Sequence, residues 1–381
     1  MAGCGGDKQL TDDFITVDVT KKYPPKDLIL QDFMDVEYIA LETNDEFFCQ
    51  GIVLAVGREV IIVKNRLNDG DIFVFDRSGK GLRKINRKGN GGEEYPFISN
   101  FILDEANNEM FISVAKKVLV YDLSGNFKRS LPVEEGSSYG SICDYNKENL
   151  ICFDRLSFDN EETADKPPFV IISKQDGRII KDISIICQQK IPDIKTINHG
   201  EMVIASYGVK SPHIPTIPDH NSWLLTTFSS DTVYRYLPDQ SMIPFMVRTP
   251  SIESTDAESF LSPIILTEHY YFLQTQKIEP EVKGTTPQDA RLFFPKTNLM
   301  YDRKEKTIYE YSVYNTDYEN KTVEFIQEKG NNEIAFWQKI EVLELLEANN
   351  NGQLKDGKLK DIASKLDEED NPVIMLVKQK K

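Results

Sequence analysis

Histidine is the scarcest of the side chains that could do chemistry in this chain of 381 residues. Only four are present, and His213 and His220 lie close together in a proline-containing stretch with Asp219 beside the second. Two imidazoles and a carboxylate could hold a metal ion, but such ligands are normally fixed on a helix or a strand. Because no such element is predicted there, solvated loop histidines are the preferred interpretation and a metal site is the alternative.

Cysteine placement does not indicate a metal site either. Cys49, Cys143, Cys152 and Cys187 form no C-x-x-C pair, and none clusters with histidine at zinc spacing. Cys143 and Cys152 fall on neighbouring predicted strands between apolar residues. Buried free thiols are therefore expected, with a disulfide between these two as the alternative in an oxidising compartment.

The sequence contains no G-x-S-x-G nucleophile motif and no P-loop. The glycine-rich stretch 88–92 joins two predicted strands and lacks the following helix whose N-terminus would bind phosphate. The acidic run at 159–165 is interpreted as a solvated loop, with calcium as the alternative. A formal net charge of −16 opposes binding to nucleic acid, which requires a basic surface.

A repeat indicates the elements that carry these residues. Residues 72–85 and 118–131 both alternate apolar side chains around an Asp-x-Ser-Gly turn, and Gly79 and Gly125 are 46 positions apart. This spacing is typical of β-propeller blades. Continued along the chain, the alternation predicts an all-β, six-bladed β-propeller with four antiparallel strands per blade, named A to D from the central channel outwards.

The later blades are predicted from alternation with little repeat identity. In blade four, residues 201–207 are expected as strand A and residues 208–221 as the A–B loop. Blade six is expected to combine strands at 323–327, 333–337 and 372–377 with an N-terminal strand at 35–42, so that both chain ends close the ring. Helices are expected within this blade, at 340–348 and 359–366.

The long insertions collect on one side of the predicted ring. They are the B–C loops at 155–168, 276–296 and 339–371, joined by the glycine-rich D–A crossover at 87–95. Binding residues are commonly found on loops that a rigid scaffold positions, although these loops could instead only cover the channel. The candidate ligand contacts lie at strand exits and in the crossover: Asn65, Arg66, Lys88, Tyr95, Arg155, Gln276 and Trp337, the last of which is also a candidate for core packing.

The chain opens with Met1-Ala2-Gly3-Cys4, and Ala-Gly-Cys is similar to the end of a bacterial lipoprotein signal, in which the cysteine carries the lipid. The alternative is an incidental cysteine. No run of 18 apolar residues is present, so contact with a membrane is expected only through a lipid anchor. Residues 1–32 are assigned to a tether and N-terminal segment, and residues 33–381 to one propeller with a helical insertion at about 339–366.

With the repeats placed, the chain resembles the six-bladed β-propeller lipoproteins of bacterial envelopes, which are relatives of NHL-repeat propellers. The resemblance is carried by residues 36–43, 75–80, 87–95 and 370–373. The family's crossover typically reads R-x-G-x-G-P-G-E-Y, and its proline is absent here. The resemblance implies an envelope protein acylated at Cys4, in the periplasm or at the outer membrane, and it implies no activity.

Two functions are compatible with these patterns. The first is a non-catalytic, monomeric propeller that binds a small molecule, a glycan or an envelope protein through one face and the channel, without a cofactor. The alternative is a metal-dependent hydrolase or lyase, similar to lactonase propellers that hold one divalent cation over the channel. Asp154, at the predicted end of a B strand, is the candidate metal ligand for that alternative.

Overall fold

The computed structural model describes residues 14–66, 68–114, 116–158, 166–187, 194–199, 202–208, 215–254, 259–277, 279–284, 286, 290–326 and 333–380. The sheets in these residues form the blades of a six-bladed β-propeller, which confirms the predicted fold class. Inner strands contact one another between blades one and two, two and three, five and six, and six and one. Shared apolar clusters join blade four to blades three and five, so the ring is closed.

Blades one to three each contain four antiparallel strands in the order A-B-C-D. Their strands are, for blade one, Ile52–Val56, Val60–Lys64, Asp71–Asp76 and Gly81–Asn86; for blade two, Asn100–Asp104, Glu109–Val114, Lys117–Asp122 and Phe127–Pro132; and for blade three, Tyr139–Asp144, Asn149–Asp154, Phe169–Ser173 and Ile179–Ile183. The predicted strands agree with these within a few residues, because the turns between them have clear signatures.

The Asp-x-Ser-Gly turn explains that agreement. Asp76 accepts hydrogen bonds through Oδ1 from the Ser78 amide (2.8 Å) and the Lys80 amide (3.1 Å), which closes the turn between strands C and D. Gly79 has φ +91°, and an added Cβ would lie 2.0 Å from the Ala40 carbonyl oxygen. Glycine is therefore required there both by conformation and by the close approach of blade six.

Blades four and five carry an additional outer strand from the N-terminal segment. Ile15–Asp18 pairs in parallel with strand D of blade four, and Pro25–Ile29 pairs in parallel with strand D of blade five. The strands of these blades are Thr216–Asp219, Ser222–Leu225, Thr232–Tyr236 and Met242–Thr249, then Ser259–Leu266, Tyr270–Lys277, Lys296–Asp302 and Thr307–Asn315, to which Lys321–Thr322 is added. The segment predicted as a tether therefore contributes residues 15–18 and 25–29 to the rim of the propeller.

The prediction for strand A of blade four was wrong. Met202–Gly208 is a strand, but it pairs with Ile194–His199 in a separate hairpin between blades three and four. Strand A is Thr216–Asp219, inside the stretch expected as the A–B loop. A short strand that contains Pro218 has little alternation, whereas the hairpin strand alternates well.

Blade six is closed by both chain ends, as expected. Ile334–Ile340, Val373–Gln379 and Met34–Ala40 form one antiparallel sheet, preceded by the short helix Leu30–Phe33. The predicted strand at 323–327 is not found in residues 323–326, and residue 327 lies outside the described part of the chain.

The expected helices lie between Ile334–Ile340 and Val373–Gln379, at Val342–Asn350 and Lys358–Ala363. Their buried side chains, which include Leu345 and Leu359, join the large apolar cluster that links blades five and six. Another hairpin, Glu281–Lys283 with Arg291–Phe293, belongs to the B–C insertion of blade five. None of the helices in the described residues is long and apolar enough to cross a bilayer.

The cysteines within the described residues are free thiols, and Cys143 and Cys152 are buried as expected. Cys143 lies opposite Ile151, and Cys152 lies opposite Ile142, so the two cysteines occupy opposite faces of the sheet. Each packs in a different apolar cluster, and a disulfide between them is therefore excluded in this fold.

Candidate functional site

A cavity of about 950 Å³ lies where the A–B turns of four consecutive blades meet. Because strand A is the innermost strand, this position is one mouth of the central channel, and we call it the A–B cavity. Its volume suits a small organic ligand. It is lined by residues 54–59 of blade one, 101–106 of blade two, 142–145 of blade three, and Thr216, Pro218, His220, Asn221, Trp223 and Pro238 of blade four.

Aromatic side chains form one wall of the A–B cavity. The rings of Tyr145, from blade three, and Trp223, from blade four, are 6.0 Å apart and inclined at 36°. Tyr236 stands behind them, 6.4 Å from Tyr145, with a pKa that burial raises to about 12. Tyr145 and Trp223 are only half-buried, so part of each ring is available to a ligand.

The turn of blade one is fixed to blade two by a carboxylate. The oxygens of Glu105 accept hydrogen bonds from the backbone amides of Arg58 (2.7 Å) and Glu59 (3.0 Å). Gly57 makes this approach feasible, because a Cβ at that position would lie 2.2 Å from a Glu105 oxygen. The carboxylate therefore shapes the rim of the cavity and leaves its negative charge there.

A buried lysine joins blades two and three beside the cavity. Lys174 Nζ lies 2.5 Å from an oxygen of Asp104 and 2.7 Å from an oxygen of Asp144. Lys174 and Asp104 are buried, whereas the side chain of Asp144 is 40% exposed. Burial raises the pKa of Asp144, opposed by the hydrogen bond from Lys174 and reinforced by the charge of Asp104. Of these two carboxylates, Asp144 is the one available to a ligand.

His220 lies at the rim of the same cavity, in the A–B turn of blade four. It has φ +53° and an exposed side chain. Asp219, the carboxylate that was considered as a metal ligand beside His220, instead forms an ion pair with Arg235 at 2.8 Å. His213 lies outside the described residues. Within the described residues, no three or more His, Cys, Asp or Glu side chains are grouped to hold a metal ion.

The seven candidate contacts predicted from the sequence do not line the A–B cavity. Asn65 bridges two backbone segments, because it accepts from the Gln50 amide (2.8 Å) and donates to Asp69 (2.7 Å). Arg66 is exposed and lies 3.7 Å from Glu341, which belongs to the helical insertion. On the B–C side, Arg66 therefore lies near blade six, whereas Asn65 joins the B–C loop of blade one to the segment that precedes this blade.

The crossover candidates differ in exposure. Lys88 is exposed, and its ammonium group donates to the Asn68 carbonyl oxygen. Tyr95 has no exposed surface: its hydroxyl donates to the Gly70 carbonyl oxygen (2.8 Å) and accepts from the Arg87 amide (3.0 Å). Burial raises the pKa of Tyr95 to about 12. Tyr95 therefore holds the crossover in place from inside.

The remaining candidates are spread around the ring. Arg155 is exposed and donates to Ser138 Oγ (3.0 Å), while Gln276 is half-buried in strand B of blade five. Trp337 is 5% exposed and packs in the core between blades six and one. Core packing, the other interpretation for Trp337, is therefore the one the structure supports.

Asp154, the candidate metal ligand, is buried and has a structural role. Its Oδ1 accepts hydrogen bonds from the backbone amides of Ser138 (2.9 Å) and Leu156 (3.1 Å). The carboxylate thus fixes the end of strand B and the start of the following insertion. The acidic run at 159–165 lies outside the described residues.

A fold of six β-sheet blades closed by both chain ends, with a cavity at one mouth of the channel, defines the class of β-propellers. The chain belongs to the DUF5128 family of 6-bladed β-propellers, whose family model matches residues 6–336. A comparison with curated proteins gives no match.

The chain is similar to several solved structures. A Bacteroides fragilis protein described as exported is 17% identical, with a TM-score of 0.62 over 97% of this chain and 100% of its own. A DUF4221 protein of Bacteroides vulgatus is 11% identical, with a TM-score of 0.49 over 91% and 97%. Virginiamycin B lyase of Staphylococcus aureus is 11% identical, with a TM-score of 0.37 over 73% and 88%. At such identities the likeness concerns the fold alone.

Proposed function

We propose that this chain is a non-catalytic binding propeller of the bacterial cell envelope, which takes a small molecule or the end of a glycan into the A–B cavity. The observation that carries the proposal is the cavity itself. Four blades contribute to it, and it combines an aromatic wall with a polar rim, as ligand sites commonly do. Within the described residues, no three or more His, Cys, Asp or Glu side chains are grouped to hold the metal ion that the alternative, a metal-dependent hydrolase or lyase, would need.

The chain's two tryptophans provide a direct test. Trp223 lines the cavity and Trp337 is buried in the core, so a Trp337→Phe variant carries a single reporter at the site. We expect a ligand from a panel of neutral and amino-substituted oligosaccharides to change its fluorescence saturably. A Trp223→Phe variant, which retains Trp337, is the matched control and should give no change.

A second variant separates this cavity from other sites. Ala55→Trp would place a large ring within the A–B cavity, where Ala55 is half-buried, and should abolish binding measured by calorimetry. Arg66→Ala, on the B–C side, should leave binding unchanged. Loss of binding in Arg66→Ala and not in Ala55→Trp would place the ligand on the B–C side and refute the proposal. Turnover of a panel member would instead favour a lyase or hydrolase.

Attachment to the envelope is proposed to occur through Cys4, which lies outside the described residues. The support is the Ala-Gly-Cys sequence and the description of the Bacteroides fragilis structure as exported. When the precursor is expressed with a lipoprotein signal, we expect the protein to partition into the detergent phase of a Triton X-114 extract. Cys4→Ala should move it to the aqueous phase, and equal partitioning of both forms would contradict a lipid anchor.

A further inference from the structure

The charge around the A–B cavity indicates which ligands it can accept. We propose that it selects a small, ring-shaped ligand that carries a protonated amine, with Asp144 as the carboxylate that binds the amine. The inference rests on the proposed function and adds the chemical class of the ligand, for which an amino sugar is the test case.

Carboxylates outnumber cations at this mouth of the channel. Glu59, Asp104, Glu105 and Asp144 line the cavity, against Arg58 in the lining and Lys174 beside it. The formal excess is two negative charges, in a protein with a net charge of −16. A recessed site of one sign concentrates its field, so a cation is attracted and an anion is repelled.

Asp144 is the carboxylate best placed to meet the ligand. Both oxygens of Glu105 already accept hydrogen bonds from backbone amides, and Asp104 is only 2% exposed, so neither carboxylate is as accessible to a ligand. Asp144 contacts Lys174 through Oδ1 only, and its side chain is 40% exposed where it lines the cavity. No hydrogen bond to its second oxygen is found within the described residues, so that oxygen can accept one from an ammonium group.

Tyr145, which follows Asp144 in the chain, supplies the apolar part of the site together with Trp223. Their inclined, half-buried rings offer flat surfaces against which a sugar or another ring can pack. The same rings attract a cation that lies over their faces. Across the turn of blade four, the exposed side chains of His220 and Asn221 offer hydrogen bonds to hydroxyl groups.

Trisaccharides that differ in charge give a direct test. We would measure by calorimetry the binding of the glucosamine, N-acetylglucosamine and galacturonic acid trisaccharides to the full chain. The glucosamine trisaccharide should bind at least about tenfold more tightly than its N-acetyl counterpart, which differs only at the amine, and the acidic trisaccharide should bind weakest. Raising sodium chloride from about 50 to about 500 mM shortens the Debye length from roughly 14 to roughly 4 Å. Because this screens the attraction between the amine and the carboxylates, the preference should become smaller.

Asp144→Asn should remove the preference for the amine while Lys174 keeps Asp104 as its partner. Glu347→Gln, an exposed site on the helical insertion, is the matched control and should leave the preference intact. Equal binding of the amine and acetamide probes, or a preference that Asp144→Asn does not change, would overturn the inference and leave the proposed binding function standing. If none of these probes nor any member of the oligosaccharide panel bound, both proposals would fall.

Discussion

Asn371 holds the two chain ends together, and its replacement by alanine should destabilise the whole ring. Its Oδ1 accepts a hydrogen bond from the Cys49 amide (2.8 Å), and its Nδ2 donates to the carbonyl oxygens of Glu42 (2.7 Å) and Phe47 (2.5 Å). The residue is 1% exposed. One side chain therefore satisfies three backbone groups of the loop that leads from blade six into blade one.

The expected loss can be worked out from these three bonds. A buried polar group left without a partner costs about 1–3 kcal/mol. At the lower end for each group, Asn371→Ala should reduce the free energy of unfolding by about 3 kcal/mol. Asn371→Asp keeps the acceptor for the Cys49 amide. It should still destabilise the fold, because it replaces the donor with a second acceptor that faces two carbonyl oxygens.

Urea unfolding followed by circular dichroism measures the effect. Asn351→Ala is the matched control, since Asn351 is exposed at the end of a helix in the same insertion, and it should change the free energy of unfolding by less than about 0.5 kcal/mol. If Asn371→Ala matched this control, the view that these bonds hold the closure would be refuted.

Three other outcomes are expected. Gly79→Ala should lower the melting temperature clearly, because Gly79 has a positive φ and the new Cβ would clash with the Ala40 carbonyl oxygen. Gly92→Ala, with open space around the residue, is the control and should leave the melting temperature unchanged. Equal melting curves for the two variants would contradict this expectation. Burial raises the pKa of Glu109, but hydrogen bonds from Arg129 and Lys128 outweigh burial and hold this pKa below its ordinary value of 4.5. The contribution of Glu109 to stability is therefore present above about pH 4.5 and is lost as the pH falls through the lowered pKa. Glu109→Gln should therefore reduce thermal stability more at pH 7 than at pH 3, and an equal reduction at both would argue against the ion pairs. Cys49 is buried and its pKa is raised by burial to about 11, so a thiol reagent at pH 8 should modify it in urea and not in the native protein, as mass spectrometry of the labelled peptide would show.

Local turn chemistry explains how much of the fold could be predicted. The strands of blades one and two follow from alternation around Asp-x-Ser-Gly turns, whose bonds join residues close together in the chain, and those of blade three from alternation around the turn at Asp176-Gly177. The parallel strands Ile15–Asp18 and Pro25–Ile29 were not predicted. Each is short, and each pairs with a strand more than 200 positions away, so no local pattern indicates it.

The position of the cavity was harder to predict than the fold. Loop length predicts a binding site on the B–C side, whereas the A–B cavity is lined by short turns. No spacing in the sequence indicates that Trp223 lies close to Tyr145, because this proximity depends on how two blades pack together. The role of Asp144 has no local signal either, because its ion pair with Lys174 joins the end of a strand A to a C–D turn. Contacts between repeats leave no spacing signal within one repeat.

The strand Met34–Ala40 is synthesised long before the strand with which it pairs. Its partners in Val373–Gln379 follow it by more than 330 positions, with Met34 opposite Gln379. At about 5–20 residues per second, the ribosome needs roughly 20–70 s to supply them. Until then Met34–Ala40 has no partner strand, while Ile15–Asp18 and Pro25–Ile29 remain unpaired until residues 246–249 and 310–314 are made. The strand Met34–Ala40 therefore reaches its final pairing only after the end of the chain has been made.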